Sequence, residues 1–168
     1  MIPEQARIFA GYNSWANERL YEAVAALPES DYRRDLQAFF GSLHGTLSHI
    51  LVGDLLWLGR IGRDTLDVAP PPAGLDAVPF EDLAGLRAAR RRADGHIAEF
   101  CADLTPKRLA GTVTYLRWGE PSSQRLWQIL AHLFNHQTHH RGQAHGLLTR
   151  LGREAPPLDL IYYLRETG

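Results

Sequence analysis

Residues 133–152 read LFNHQTHHRGQAHGLLTRLG, and this stretch decides the fold. At about 100° per residue, setting His136 at 0° puts His140 near 40°, Ile129 and Leu147 near 20° and Leu133 near 60°. A long amphipathic helix therefore carries two histidines, one turn apart, inside its apolar stripe. His132 and His139 fall at about −40° and −60°, on the edge of the stripe, and His145 near 180°, where solvent is expected. The helix is read as capped by Ser122 or Ser123 and as ending near Leu151, before Gly152.

Three more helical patterns lie upstream. Ile8, Tyr12, Trp15, Ala16, Leu20, Ala23 and Leu27 mark a first helix that stops before Pro28. The segment that follows is read as a link to Ser42, the N-cap of a second helix carrying Leu47, Ile50, Leu51, Leu55 and Leu58 and stopping near Gly62. From Asp64 to Pro79 the chain holds Pro70, Pro71, Pro72 and Pro79, whose fixed φ and missing N–H make a long connection. Phe80, Leu83, Leu86, Ile97, Phe100 and Leu104 give a third helix, closed by Thr105 and Pro106. Thr112 to Trp118 is rich in β-formers and precedes Gly119 and Pro121, so a short strand or hairpin is expected there; DLIYYLRE (159–166) is read as a final short helix. The expected fold is all-α: one domain over 1–168, a four-helix bundle with a long crossover connection and a small β-hairpin before the last long helix.

Composition agrees with one globular domain, since 168 residues with 45% apolar content suffice for a core without disulfides. A single cysteine, Cys101, has no partner in the chain, which fits a reducing cytoplasm. Eighteen basic against nineteen acidic residues give 18 − 19 = −1, so no bulk charge favours nucleic acid. Arg87, Arg90, Arg91 and Arg92 are read as a solvated helix face. The N-terminus does not read as a signal peptide, and the longest apolar run, ILVGDLLWLG (50–59), is interrupted by Asp54 and too short for a bilayer; no membrane partner is expected.

Two imidazoles one turn apart and facing a bundle interior can share a transition-metal ion. The best source of a third ligand is His49 on the second helix, flanked on its face by Gly45 and Gly53. Three core histidines, each satisfied by a hydrogen bond, fit the same spacing. HQTHH (136–140) imitates the zinc-protease HExxH, but Gln137 replaces its carboxylate base, so that chemistry is unsupported. No GxSxG, P-loop or GxGxxG is present.

GYNSWANERLYEAV (11–24), FFGSLHGTLSHILVGDLLWLGRIG (39–62) and LFNHQTHHRGQAHGLLTRLG resemble the DinB family of damage-inducible, metal-dependent proteins over nearly the whole chain. The most specific features are the histidine followed by an acidic residue and tryptophan, and the terminal HxxxHRGQ. The resemblance implies a four-helix bundle, a homodimer, and a three-histidine metal site made by His49, His136 and His140. It also brings in low-molecular-weight-thiol transferases using bacillithiol and the mycothiol-dependent maleylpyruvate isomerase of the wider superfamily.

Three protein ligands leave an open position, the arrangement of a catalytic site. One divalent metal there, zinc or nickel first, with iron or manganese as alternatives, could hold a thiolate from a low-molecular-weight cosubstrate for transfer to an electrophile. A metal-bound hydroxide would make a hydrolase, and a stress-response protein that binds metal without turnover is the third reading. Tyr12, whose phenol could reach the open position, and Gln143, near −20° on the metal face, are the candidate catalytic residues. Trp15 is read as core. Asn13 lies toward its helix edge, Asp54 is expected to make a structural hydrogen bond, and Arg141 is read as a surface or interface salt bridge or a contact to an acidic substrate group.

Overall fold

Ala6, Ala10, Ala16, Leu20 and Val24 recur at helical spacing and are all buried, and Pro3 opens their helix in the first turn, where its missing N–H is tolerated. The structure, a computed structural model, describes all 168 residues. In chain order the elements are α1 (Pro3–Ala25), α2 (Glu29–Arg33), α3 (Leu43–Arg60), α4 (Leu83–Ala102), α5 (Pro106–Ala110), β1 (Thr112–Arg117), β2 (Glu120–Arg125), α6 (Leu126–Arg150) and α7 (Leu160–Thr167). The four long helices form the bundle, with α1 and α3 each packed between α4 and α6.

Side-chain pairs set the directions. Asn13 and Asn17 reach Asp94 while Glu18 reaches Arg87 and Arg91, so α1 and α4 run antiparallel. Asp54 pairs with Arg90, and Arg63 with Glu99, so α3 and α4 run parallel. Parallel neighbours need a return path, and α3, 18 residues long, spans about 27 Å. Residues 61–82 supply that path as the expected crossover. Val68 and Ala69 anchor it in the apolar cluster of Leu43, Leu47, Leu51 and Leu86, and Asp67 lies 2.9 Å from His96 Nε2 on α4.

The core is divided. One apolar cluster joins Leu20, Val24, Leu43, Leu47, Leu86 and Leu147, and another joins Ala6, Ala10, Leu58, Ile97, Leu130 and Phe134. Between them lies a buried polar layer built from all four long helices. Arg90 Nη1 forms an ion pair with Asp54 Oδ2 at 2.6 Å and Nη2 with Asp94 Oδ1 at 2.9 Å. Arg141 Nη1 donates to Gln137 Oε1 at 3.1 Å, to Asn17 Oδ1 at 3.2 Å and to Asn13, and Gln137 donates to Asp54. Two guanidinium and two carboxylate groups balance, as burial of charge requires.

Several expectations are corrected. Arg90, read as part of a solvated face, is 2% exposed; the cluster splits because Arg90 lies over Asp94 one turn on while Arg91 turns out to Glu18. Asn13 is buried, because the facing helices supply Asp94 and Arg141 as partners. Ser122 and Ser123 belong to β2, whose Ser123 Oγ meets Thr114 Oγ1 at 2.8 Å. The long helix starts instead at Leu126, where Gln128 Oε1 accepts from the Arg125 N–H at 3.1 Å. The segment read as a link contains α2, and Pro106 starts α5 rather than only closing the helix before it. Asp82 caps α4, its Oδ1 accepting from Gly85 N–H at 2.6 Å, which leaves Phe80 ahead of the helix. The hairpin is present: β1 and β2 pair antiparallel with Arg117 opposite Glu120, and Trp118 and Gly119 turn the chain at φ 53° and 85°, both positive as a two-residue hairpin turn demands. Ser42 caps α3 as expected, its Oγ accepting from Gly45 N–H at 3.1 Å. No helix is long and apolar enough to cross a membrane.

Candidate metal centre

α3 and α6 lie side by side, which brings His49 from one against His136 and His140 from the other. One ring nitrogen of each lies within 4.8 Å of those of the other two. The contact is close because Gly53, one turn after His49, has no side chain: a Cβ there would stand 2.7 Å from His136 Cε1. Gly45 makes room in the same way for the Phe40 carbonyl. Phe40 in turn stacks on His49, ring centroids 3.9 Å apart, and meets His140 edge-on at 5.5 Å.

Hydrogen bonds orient the rings. His49 Nδ1–H donates to the Leu75 carbonyl at 2.8 Å, and His140 Nδ1–H donates to Gln143 Oε1 at 2.7 Å. Each bond leaves Nε2 with its lone pair directed inward, the tautomer a metal ligand requires. His49 Nε2 and His136 Nε2 are 3.1 Å apart. Two bare lone pairs would repel at that range, so a proton or a cation belongs between them. Nitrogens about 2.0 Å from a shared tetrahedral zinc stand about 3.3 Å apart. The three residues thus fit a metal ion.

Electrostatics point the same way. Burial, reinforced by His140, His49, His132 and His139, holds the His136 imidazole down to about 3. Burial also lowers His140, against its bond to Gln143. Both are neutral at pH 7 and available as donors. A proton taken up by His136 on unfolding makes the unfolded chain the stronger base, so the stability this residue contributes is complete above about pH 6.5 and is lost as pH falls toward 3. In chelated protein, denaturant midpoints between pH 7 and pH 4 are expected to fall, with a steepest slope of about 1.4 kcal/mol per pH unit per such histidine. His136→Phe should flatten that slope, and an unchanged slope would refute the assignment.

The remaining expected residues separate. Gln143 holds His140, so it reaches the site through a ligand. Tyr12 does not line the histidine cleft: its hydroxyl donates to the Leu158 carbonyl at 2.7 Å, and its ring packs beside Trp15 and Tyr163. Its place on α1 is the reason, since the histidines come from α3 and α6. His132 and His139 are exposed, at the stripe edge as expected. His145 is half-buried, corrected from solvent because the segment before α7 folds back and the Pro156 carbonyl lies 3.1 Å from its Nε2. Arg141 is 2% exposed and bonded within the polar layer, so it is not a surface salt bridge. Asp54 is likewise structural, bound by Arg90 and Gln137. Gln137 faces this layer, whereas a metalloprotease would need a carboxylate at the metal.

Two contributors escaped the sequence reading. The Leu75 carbonyl carries no side-chain signature, and Phe40 was visible only as half of an FF pair before the Ser42 cap. His49 and His136 open onto a cleft of about 550 Å³ between α3, α6, the crossover and the hairpin, lined in part by Trp57, Arg60, His132 and Trp118.

Comparison with known proteins agrees with this architecture. The chain is 26% identical over 167 residues to Protein DinB of Bacillus subtilis (strain 168), covering 91% of this chain and 90% of that one. A crystal structure of a DinB-like protein from Bacillus cereus ATCC 10987 superposes with a TM-score of 0.63 at 21% identity, over 85% of this chain and 90% of that chain, and so shares the fold. The DinB family pattern itself matches residues 3–167. A bundle whose parallel α3 and α4 are joined by a long crossover, and whose facing helices bring three histidines together, is thereby accounted for: the chain belongs to the DinB family.

Proposed function

We propose that this chain is a metal-dependent enzyme that transfers a low-molecular-weight thiol to an electrophilic small molecule, with His49, His136 and His140 as ligands. The observation that carries the reading is the convergence of three imidazoles, two of them locked by outward hydrogen bonds, beside an open cleft that His49 and His136 line. A divalent ion held there, zinc or nickel first, supplies Lewis acidity that lowers the pKa of a thiol in the open position. The protein's own thiol is no substitute: Cys101 is buried in the second apolar cluster, and burial pushes it up to about 12. His132, on the cleft wall and held low by the partial desolvation of its ring and by Arg60, is neutral at pH 7 and can accept the proton that a thiol gives up. Gln143 acts by orienting His140. Residues 1–168 work as one domain, in the cytoplasm, as a homodimer, in a response to chemical stress.

The test is consumption of 1-chloro-2,4-dinitrobenzene with bacillithiol, glutathione or cysteine as cosubstrate. Turnover is expected with one of the thiols, to vanish on chelation, and to return when zinc or nickel is restored. Turnover that survives complete metal removal, or no acceleration over the uncatalysed thiol reaction with any of the three, overturns the proposal.

A further inference from the structure

The guanidinium of Arg60 lies in the same cleft as the histidines. It sits on the His49 face of α3, eleven residues on and about 16 Å along the helix axis. Its side chain packs against two rings, with Cζ 4.5 Å from the Trp57 centroid and 4.7 Å from that of Tyr115, and it is half-buried. Those contacts seat the guanidinium between two rings that meet edge-on. Its N–H donors form no hydrogen bond or ion pair with any protein acceptor. Elsewhere arginines facing the bundle are matched: Arg90 by Asp54 and Asp94, Arg87 and Arg91 by Glu18, Arg63 by Glu99. The cleft holds a second unmatched guanidinium, Arg117, stacked on the exposed Trp118 with Cζ 4.0 Å from its ring. No carboxylate lines the cleft, although the chain carries nineteen.

A cationic, aromatic-walled cleft in a protein of net charge −1 is selective for charge. Arginine held by stacking presents its donor fork at little further entropy cost, and a planar carboxylate, sulfonate or phosphate matches that fork. We propose that the cleft binds an elongated anionic small molecule, with its anionic end on Arg60, its apolar body along Trp57 and Trp118, and its other end at the histidines. Arg60 is then the residue that determines specificity. This deepens the functional reading above, since the histidine end is where that reading puts the chemistry.

The probe is 4-phenylbutyrate, compared with 4-phenylbutanol and 4-phenylbutylamine, titrated into zinc-loaded and into chelated protein while tryptophan fluorescence is followed. The carboxylate should bind at least about tenfold more tightly than the alcohol, and the amine should not bind. Arg60→Gln should abolish the preference for the carboxylate, and Arg60→Lys should restore part of it, while both retain the wild-type circular dichroism spectrum and metal content. Equal affinities for the three probes, no saturable carboxylate binding at about 10 mM, or an undiminished preference in Arg60→Gln overturns the proposal. If the wild-type protein takes up no zinc yet keeps the Arg60-dependent preference, the metal-enzyme reading fails and the anion site stands.

Discussion

His49→Ala, His136→Ala and His140→Ala are each expected to lose at least about 100-fold in metal affinity, so that gel-filtered protein carries almost none. Outer partners of ligands are typically worth 10- to 100-fold, and a ligand itself is worth more. Gln143→Ala, which frees the His140 ring without removing it, belongs at about tenfold. His132→Ala, His139→Ala and His145→Ala should retain metal, because none of the three nitrogens that converge is theirs. The main rival set uses His132 with His136, whose rings are 5.7 Å apart at their centroids, against 4.3 Å for His136 and His140. Metal analysis after gel filtration, with circular dichroism on every variant, decides between them. Loss in folded His132→Ala with retention in His140→Ala would move the site one turn toward the start of α6. The folding control matters because metal affinity and stability are linked.

Arg90→Met is expected to be the most destabilising single change away from the histidines. It leaves Asp54 and Asp94, both nearly inaccessible to solvent, without their shared cation. Breaking a buried pair from one side costs about 3–5 kcal/mol, a large part of the 5–15 kcal/mol typical of a domain. For a chain of this size that is a fall in Tm of about 6–20 °C. Arg91→Ala, one residue along the same helix, removes only exposed contacts to Glu18 and should cost no more than about 1 kcal/mol. Burial already raises the Asp54 carboxyl to about 6 against the pull of Arg90, so removing Arg90 raises it further. A raised carboxyl favours folding at low pH and loses that contribution as pH climbs, so Arg90→Met should recover part of its stability between pH 8 and pH 5. Thermal melts of both variants at the two pH values check this, and equal losses would show that the layer carries no special weight.

The polar layer also shows why some residues were misread. Helical spacing put Asn13 near an edge and left Arg141 free to face a substrate, because a helical wheel counts a polar residue as outward unless something inside can receive it. Here something can: α1, α4 and α6 each present complementary groups at one level of the bundle. Tyr12 failed for a related reason. Its position on an apolar face was read correctly, but the histidines come from α3 and α6, and the phenol on α1 finds a backbone carbonyl 146 residues away.

The histidine pair of α6, the Ser42 cap, the proline-rich return and the hairpin turn were determined by the sequence itself, since each depends on neighbours within a few residues: a 3.6-residue period, a side-chain oxygen near three free N–H groups, a fixed φ, a glycine at positive φ. The side of α6 on which α3 packs, and therefore the meeting of His49 with His136 across Gly53, was decided only by the tertiary structure. So was the tautomer of His49, which rests on a carbonyl 26 residues away in the crossover. Contacts of this kind depend on how whole helices settle against one another once their apolar faces and their buried charges have found partners, and no local period in the chain encodes that choice.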